Sequence, residues 1–424
     1  MGRITLLLIG LGIGLASCQS DPDPVYDLLI DNGHVVDARN GVDQVMDVAL
    51  LDGRIARVSP EIDPEQATQR IDATGLYVAP GLINPHGHYF TGPRIGADDG
   101  GFSGAFASGF SSVSPDNFTL RNGITTVVDA GTSGWRNVEQ FKENVVDPST
   151  TRVLAFLNIV GYGMLDHNHN QRVEDMDVER TVAALEEHDD WLVGTKIGHF
   201  YSPDWTPFER AQQAARESGT RLFVECHLPE LPMGEILERL EEGDILTHIY
   251  GAVHDREHIL NQEGRVRPDM IAARERGVFF DTGHGGVSFH YDLAAPALEQ
   301  GFLPDAFGTD LHRFSMNAGM KNMLNVMSKF MNLGMDPSDL LSRATWGTAK
   351  MVGREDLGHL SEGAVADIAI LNLKEGSFGF VDSGGERLQG DRIWEAEVTL
   401  REGRVVWDLN GLAARPWQED DVQR

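Results

Sequence analysis

The sequence predicts an α/β fold: a (β/α)8 TIM barrel with a small β-sandwich domain built from both chain ends. Buried, β-branched strands alternate with helical segments through the middle of the chain, a pattern typical of a parallel sheet with helical crossovers. Short strands and Gly-containing turns occupy both ends instead. A length of 424 residues accommodates one barrel and a smaller domain.

The two chain ends share a strand-and-turn character. From Tyr26 to Tyr77 the chain consists of short apolar runs, and Asp52-Gly53 divides one of them as a hairpin turn would. Short strands return after Gly358. We therefore expect residues 25–80 and 358–410 to form one small β domain.

The central residues 81–357 are predicted to form the barrel, because strand and helix alternate about eight times from Leu82 onward. The predicted strands after the first are Gly123–Asp129, Val153–Val160, Trp191–Ile197, Arg221–His227, Asp244–Tyr250, Gly277–His284 and Pro304–His312. The predicted helices include Phe208–Glu217, Gly234–Glu242, Met270–Arg276, Leu293–Gln300, Met320–Leu333 and Pro337–Lys350.

The first residues predict export. After Arg3 an apolar run extends to Leu15, which suits an export signal and is too short to span a bilayer. The sequence Leu-Ala-Ser-Cys, ending at Cys18, resembles the lipobox of bacterial lipoproteins, in which the cysteine is lipidated. We expect residues 1–18 to be a signal peptide and 19–24 a tether. The mature protein is then lipid-anchored on the periplasmic side of a bacterial envelope, or secreted or periplasmic if the signal is a plain one.

The overall charge restricts the partners. The chain has 35 Lys and Arg against 65 Asp and Glu, a formal charge of −30. Such a surface repels nucleic acid and anionic lipid, so we expect neither to bind the folded body. A small-molecule substrate is the expected partner, a membrane is contacted only through the lipid anchor, and a homo-oligomer is left open.

His86 and His88 are the first candidates for a metal site. They are one residue apart just past an apolar strand, so the alternation of side chains points both to the same side. Imidazole is the commonest protein metal ligand. A surface or packing role would explain such a pair in isolation, so the prediction depends on whether later strands supply more ligands.

Later strand ends supply them, since Lys196, His227, His248 and Asp310 lie at or near the carboxyl ends of strands, where active groups of such barrels are found. A lysine in a buried strand is costly unless it is neutralised or paired. Its free amine can take up CO2, and the resulting carbamate has two oxygens that can bridge two metal ions. Pairing with an acid is the alternative for the lysine, core packing for the two histidines, and helix capping for the aspartate.

The order His-x-His, Lys, His, His, Asp resembles the amidohydrolase superfamily, in its binuclear branch with a carboxylated lysine. The segment Pro80–Ile83 before the histidine pair and Gly363–Asp367 near the C-terminal strands add to the resemblance. Residues 123–131 and 327–335 are similar to the dihydroorotase-like group of amidohydrolases and deacetylases. The resemblance extends from about Tyr26 to Asp408.

The resemblance implies two divalent metal ions, with zinc as the expected identity. The implied ligands are His86, His88, Lys196, His227, His248 and Asp310. The first two and Asp310 would hold an inner ion, His227 and His248 an outer ion, and carboxylated Lys196 would bridge them. Asp310 would also take the proton from the attacking, metal-activated hydroxide and pass it to the leaving group.

Many relatives have an acid at the position of Asn84, so this chain lacks one negative charge near the inner ion.

Substrate contacts are predicted on loops at Tyr162, His169 and His199, and a catalytic contact at His284. His284 would donate a hydrogen bond to the developing oxyanion, or it is a structural loop histidine. The resemblance implies a metal-dependent amidohydrolase that cleaves the C–N amide, or ester, bond of a small acylated acid such as an N-acyl amino acid. The first alternative is a cyclic amide hydrolase, as dihydroorotases and hydantoinases are. The second is a catalytically inactive binding lipoprotein.

Overall fold

The computed structural model describes residues 25–90, 112–165, 167–225, 231–251 and 257–417. The predicted signal peptide, the tether, Cys18 and His227 lie outside these ranges, so the structure leaves those predictions as they stand. Within the ranges, no helix combines the length and the apolar character needed to cross a membrane.

The strands belong to two sheets, one built from both chain ends and one central. In chain order they are β1 (Tyr26–Asp37), β2 (Val42–Leu51), β3 (Arg54–Ser59), β4 (Ala67–Asp72), β5 (Tyr77–Pro80), β6 (Leu82–Gly87), β7 (Ile124–Gly134), β8 (Arg152–Asn158), β9 (Leu192–Ile197), β10 (Arg221–Glu225), β11 (Ile245–Thr247), β12 (Phe279–Phe280), β13 (Ile368–Val381), β14 (Arg387–Arg401) and β15 (Arg404–Asp408).

The first sheet contains eight strands in the order β15-β14-β13-β5-β1-β2-β3, with β4 paired to β1. The turn Asp52-Gly53 joins β2 to β3, and both of its residues have positive φ, as a tight hairpin turn requires. Strands β13 and β14 have 14 and 15 residues, so they are longer than the short strands predicted after Gly358. Gly376 and Ser377 sit at a register shift between these two strands.

The central sheet is parallel, and its seven strands follow the chain from β6 to β12. Every residue of β6, β7 and β9 is buried, as expected for strands covered on both faces. The predicted strand Pro304–His312 does not form. Instead Ala306 bridges to Asp281 and Leu311 to Gly87, at the two edges of the curled sheet. A φ of 47° at Asp310 interrupts the extended backbone between them.

The helices flank the central sheet and mostly follow its strands. They are α1 (Val138–Phe141), α2 (His167–Asn170), α3 (Val178–Glu187), α4 (Thr206–Glu217), α5 (Met233–Arg239), α6 (Pro268–Glu275), α7 (Tyr291–Glu299), α8 (Met323–Asn332), α9 (Pro337–Ser342) and α10 (Thr348–Met351). A π-helical turn, Arg343–Gly347, separates α9 from α10 where one helix was predicted.

Asp367, just before β13, connects the two sheets through buried charges. Its carboxylate accepts hydrogen bonds from Arg152 of β8 at 2.5 Å and from Arg401 of β14 at 3.1 Å. The backbone N–H of Glu402 donates to the same carboxylate at 2.9 Å. The side chain of Asp367 is only 8% exposed, so solvent screens these contacts poorly.

We expect Asp367→Asn to lower the free energy of unfolding by about 3 kcal/mol, because it removes the charge that compensates two poorly exposed arginines. Asp356→Asn is the control, since Asp356 pairs with Arg354 at the surface, and its loss should cost less than about 1 kcal/mol. Chemical denaturation measures both. Equal losses would show that Asp367 has no special role between the sheets.

Candidate metal centre

His86, His88 and Asp310 converge at one end of the central sheet. The Nε2 atom of His86 lies 3.7 Å from Asp310 Oδ1, and that of His88 lies 3.0 Å from the same oxygen. One ligand atom from each of the three residues lies within 4.8 Å of the others. Ligand atoms that share a tetrahedral zinc ion are about 3.3 Å apart. The spacing therefore suits one shared ion.

The environment of His86 leaves a ring nitrogen available for a metal ion. Its Nδ1 lies 3.2 Å from Asp281 Oδ2 and 3.0 Å from Thr247 Oγ1, so the network assigns the ring proton to Nδ1. In the described part of the chain, His86 Nε2 has no hydrogen-bond partner although it is buried. Burial lowers the pKa of His86 to about 4, despite the hydrogen bond to Asp281. A neutral imidazole with a bare Nε2 facing Asp310 fits a divalent ion.

The negative charge next to His86 comes from Asp281, because the side chain of Asn84 is neutral. The Asn84 amide donates to Tyr89 OH at 3.1 Å and to Thr309 Oγ1 at 2.7 Å, which anchors the residue next to Asp310. Asp281, just after β12, supplies the negative charge from another strand. The sequence placed Asp281 beside His284 but gave no sign of its contact with His86, because that contact joins distant strands.

Asp310 is held as an anion in a strained conformation. Its φ is 47°, in the left-handed region that costs a non-glycine residue about 1–3 kcal/mol. Burial opposes its ionisation, but His312 and His88 outweigh burial and hold the pKa of Asp310 well below its usual range. His248 also has a left-handed φ, of 60°. Strain of this kind concentrates at functional sites.

Lys196 lies fully buried in β9 and pairs with an acid, the alternative that the sequence left open. Its Nζ is 3.1 Å from Glu225 Oε2 and donates to the carbonyl oxygen of Ala130 at 3.2 Å. Gly131, at φ 84°, makes room for its stem, since a Cβ there would lie 2.6 Å from Lys196 Cγ. The carbamate on Lys196 stays a prediction.

Glu225, which sequence reasoning missed, connects Lys196 to two histidines. Its Oε1 lies 3.1 Å from His199 Nε2 and 3.4 Å from His248 Nε2. Burial opposes its ionisation, but His199 and Lys196 overcome this and hold the pKa of Glu225 well below its usual range. Glu225 stands two residues before His227, so the period of two along β10 would have pointed to it.

A backbone contact on the Nδ1 side of the ring orients His248. Its Nδ1 lies 2.5 Å from the carbonyl oxygen of Gly283, which directs Nε2 toward Glu225. Burial lowers the pKa of His248, but the hydrogen bond and charge of Glu225 more than offset this and raise it. His248 thus stands with Glu225 and Lys196 in a second group of polar side chains. Its ring centroid is 5.0 Å from that of His86, so the two groups adjoin.

The predicted substrate residues lie in two places. The rings of Tyr162 and His169 are edge to face, with centroids 6.1 Å apart. His199 contacts Glu225, and its carbonyl oxygen accepts a hydrogen bond from Gln171 at 2.8 Å. Their roles toward a substrate stay predictions.

His284 is buried and held by a buried lysine. Its Nε2 lies 2.6 Å from Lys329 Nζ, its Nδ1 lies 2.9 Å from the carbonyl oxygen of Gly285, and its ring stacks on Phe289. Burial and the charge of Lys329 hold the pKa of His284 well below its usual range. These contacts fix the ring within the protein, and the predicted oxyanion role stays untested.

A sequence model of the amidohydrolase family matches residues 77–392, most of the chain. The chain belongs to the amidohydrolase family. This amidohydrolase is 44% identical to a dihydroorotase of Streptococcus pneumoniae serotype 4, over 90% of this chain and 99% of that one. It is 28% identical to a deacetylase of Agrobacterium fabrum, over 88% and 90% of the two chains. A crystal structure of an adenine deaminase matches it with a TM-score of 0.79 and 26% identity, over 91% of this chain and all of that one.

These comparisons make the protein an amidohydrolase that acts on carbon–nitrogen bonds other than peptide bonds, and they support dependence on divalent metal ions. The group His86, His88 and Asp310 is consistent with that chemistry. The alternative of an inactive binding lipoprotein gains no support from them.

We expect Asp281→Asn to weaken the binding of the first zinc ion by about 10–100-fold, because it removes the charge that orients His86 and makes it more basic. Asp244→Asn is the control: Asp244 is equally buried but pairs with Arg216. Titration of the metal-free protein with zinc against a chelator measures both affinities. Equal affinities in the two variants would contradict this role of Asp281.

The burial of Lys329 predicts that the free energy of unfolding depends on pH. Burial lowers its pKa to about 7, only partly offset by Asp382. Between pH 7 and the ordinary lysine value of about 10.4, the unfolded chain therefore binds a proton that the folded chain lacks. Relative to Lys329→Met, the free energy of unfolding of the wild type should rise over this window by a few kcal/mol.

The control is Lys350→Met, because Lys350 is exposed and its substitution should leave the pH dependence unchanged. Urea denaturation at several pH values compares the three proteins. A difference between wild type and Lys329→Met that stays constant with pH would contradict the depressed pKa.

Proposed function

We propose that this amidohydrolase cleaves the amide, or ester, bond of a small acylated acid such as an N-acyl amino acid. The observation that carries the proposal is the adjacency of two groups of metal-type donors: His86, His88 and Asp310 in one, and Lys196 with His248 in the other. The relatives named deacetylase support acyl-group removal.

In the proposed site His86, His88 and Asp310 would hold one ion, and His248 with His227 would hold the other. Lys196 would serve both ions as a carbamate. When bound, two divalent ions, for which zinc is the expected identity, polarise the substrate carbonyl and lower the pKa of water.

Asp310 is the proposed carrier of the proton. Its low pKa keeps it an anion at neutral pH, and its side chain is 14% exposed, so a substrate can reach it. One oxygen faces His88, and the other lies 3.7 Å from His312 Nε2. Asp310 takes a proton from water as the carbonyl is attacked and gives it to the leaving nitrogen or oxygen. His88 and His312 hold its carboxylate in place.

Opening of a cyclic amide is the second candidate, favoured by the dihydroorotase of Streptococcus pneumoniae among the relatives. Both reactions use the same metal chemistry and differ in the substrate. The two candidate functions are therefore distinguished by comparing the rates of hydrolysis of linear and cyclic substrates.

We also propose that the central sheet closes as a (β/α)8 barrel and that the first sheet folds into a sandwich. The backbone N–H of Thr282 donates to Ala306 at 3.2 Å, and that of His88 donates to Leu311 at 2.9 Å. Residues 306–311 thus hydrogen-bond at both edges of the sheet, which supports closure.

We expect the zinc-loaded protein to hydrolyse linear N-acetyl amino acids with a kcat/KM at least about 100-fold above that for dihydroorotate or hydantoins. Removal of the metal with a chelator should abolish turnover, and zinc should restore it. D- and L-enantiomers are assayed separately. A preference for the cyclic amides would favour the second candidate, and no hydrolysis of either class by zinc-loaded protein would contradict the proposal.

We expect Lys196→Ala to reduce turnover by about 1,000-fold or more, because the bridging group is lost. A small carboxylic acid added to this variant should restore part of the rate by occupying the position of the carbamate. Lys350→Ala, at an exposed lysine, is the control and should retain wild-type activity. Full activity of Lys196→Ala without added acid would rule out the bridge.

A further inference from the structure

We infer that Glu225 is a direct ligand of the outer metal ion, through Oε1. This inference rests on the proposed function, because it adds a ligand to the same centre. Glu225 is 3% exposed, and its two oxygens point to different partners. Oε2 faces Lys196 Nζ, while Oε1 faces His199 and His248.

Each of the two distances from Oε1 to an imidazole nitrogen suits a pair of atoms that share an ion. His248 Nε2 lies 3.4 Å from it and His199 Nε2 lies 3.1 Å from it, against about 3.3 Å between ligands of a tetrahedral zinc ion. The same spacing occurs in the other group, where Asp310 Oδ1 lies 3.0 and 3.7 Å from two imidazole nitrogens. The two groups therefore repeat one arrangement: a carboxylate oxygen facing two imidazoles.

The orientation of His248 requires a proton or a metal ion between its Nε2 and Glu225. Because Nδ1 is directed to the Gly283 carbonyl, a neutral His248 has its lone pair on Nε2, which faces Glu225. A lone pair and a carboxylate oxygen 3.4 Å apart repel each other unless a proton or a metal ion lies between them. A bound zinc ion would take the place of that proton.

The surroundings are shaped to hold the carboxylate here. A Cβ at Gly198, just after β9, would lie 2.5 Å from Glu225 Oε2 and 2.9 Å from its Cβ. Only glycine therefore allows Glu225 to lie against the end of β9. A carbamate on Lys196 would keep one N–H on Nζ, so the contact with Oε2 is compatible with either form of the lysine.

The test is zinc binding by the full-length protein in three forms: wild type, Glu225→Gln and Glu397→Gln. Glu397 is a matched control, because it is 4% exposed and hydrogen-bonds to Asn372 and Asn410 in the first sheet. Competition with a chelator gives the dissociation constants, and metal analysis gives the zinc content per chain. Glu225→Gln should bind one zinc ion as the wild type does and the second about 100-fold more weakly, or worse. Glu397→Gln should match the wild type.

If Glu225→Gln binds both zinc ions with the dissociation constants of the wild type, the inference is overturned. Loss of both ions from a folded Glu225→Gln variant would also overturn it. Wild-type protein that binds no zinc would instead overturn the proposed function. Thermal melting of the zinc-free proteins checks folding. If Glu225→Gln does not fold, Glu225→Asp is used instead. X-ray absorption at the zinc edge should then show a different contribution from oxygen ligands than in the wild type. A spectrum identical to that of the wild type would overturn the inference.

Discussion

Charge compensation inside the central sheet is the constraint on which the site depends. Three carboxylates lie among imidazoles and the amine of Lys196: those of Asp281 and Glu225, which are buried, and that of Asp310, whose side chain is 14% exposed. Each charge buried alone would cost several kcal/mol. Each carboxylate lies within 3.2 Å of a histidine or lysine nitrogen, so a hydrogen bond or an ion pair offsets part of this cost. Removal of the partner leaves the carboxylate less stabilised.

The backbone bears part of the cost of this arrangement. Asp310 and His248 adopt left-handed conformations, and Gly131 and Gly198 are needed where side chains cross closely. The surrounding apolar core stabilises these strained positions, since strands such as β7 and β9 are buried along their whole length. This packing places the side chains of the site in the positions that the proposed metal binding and proton transfer need.

The sequence predicted the site residues that lie at strand ends. It did not predict the residues whose role depends on contacts between different strands. The period of two and the parallel sheet are readable, so His86, His88 and Lys196 were found where the structure has them. Asp281 was missed because its partner His86 is 195 positions away in the chain, and spacing carries no information on such a pair. Glu225 was missed although it stands two residues before His227, because only its contact with Lys196, 29 positions away, shows its place in the site. The predicted eighth strand failed for a local reason, the φ of Asp310, which residue type alone does not reveal.

The pairing of Lys196 with Glu225 would link the proposed CO2 uptake to metal binding. As an ammonium, Lys196 is compensated by Glu225 and by the Ala130 carbonyl. A carbamate would replace that positive charge with a negative one, 3.1 Å from a carboxylate in a buried site. Such a pair of anions would be stable only with divalent ions against both. The proposed carboxylation of Lys196 would therefore accompany metal loading and would not precede it.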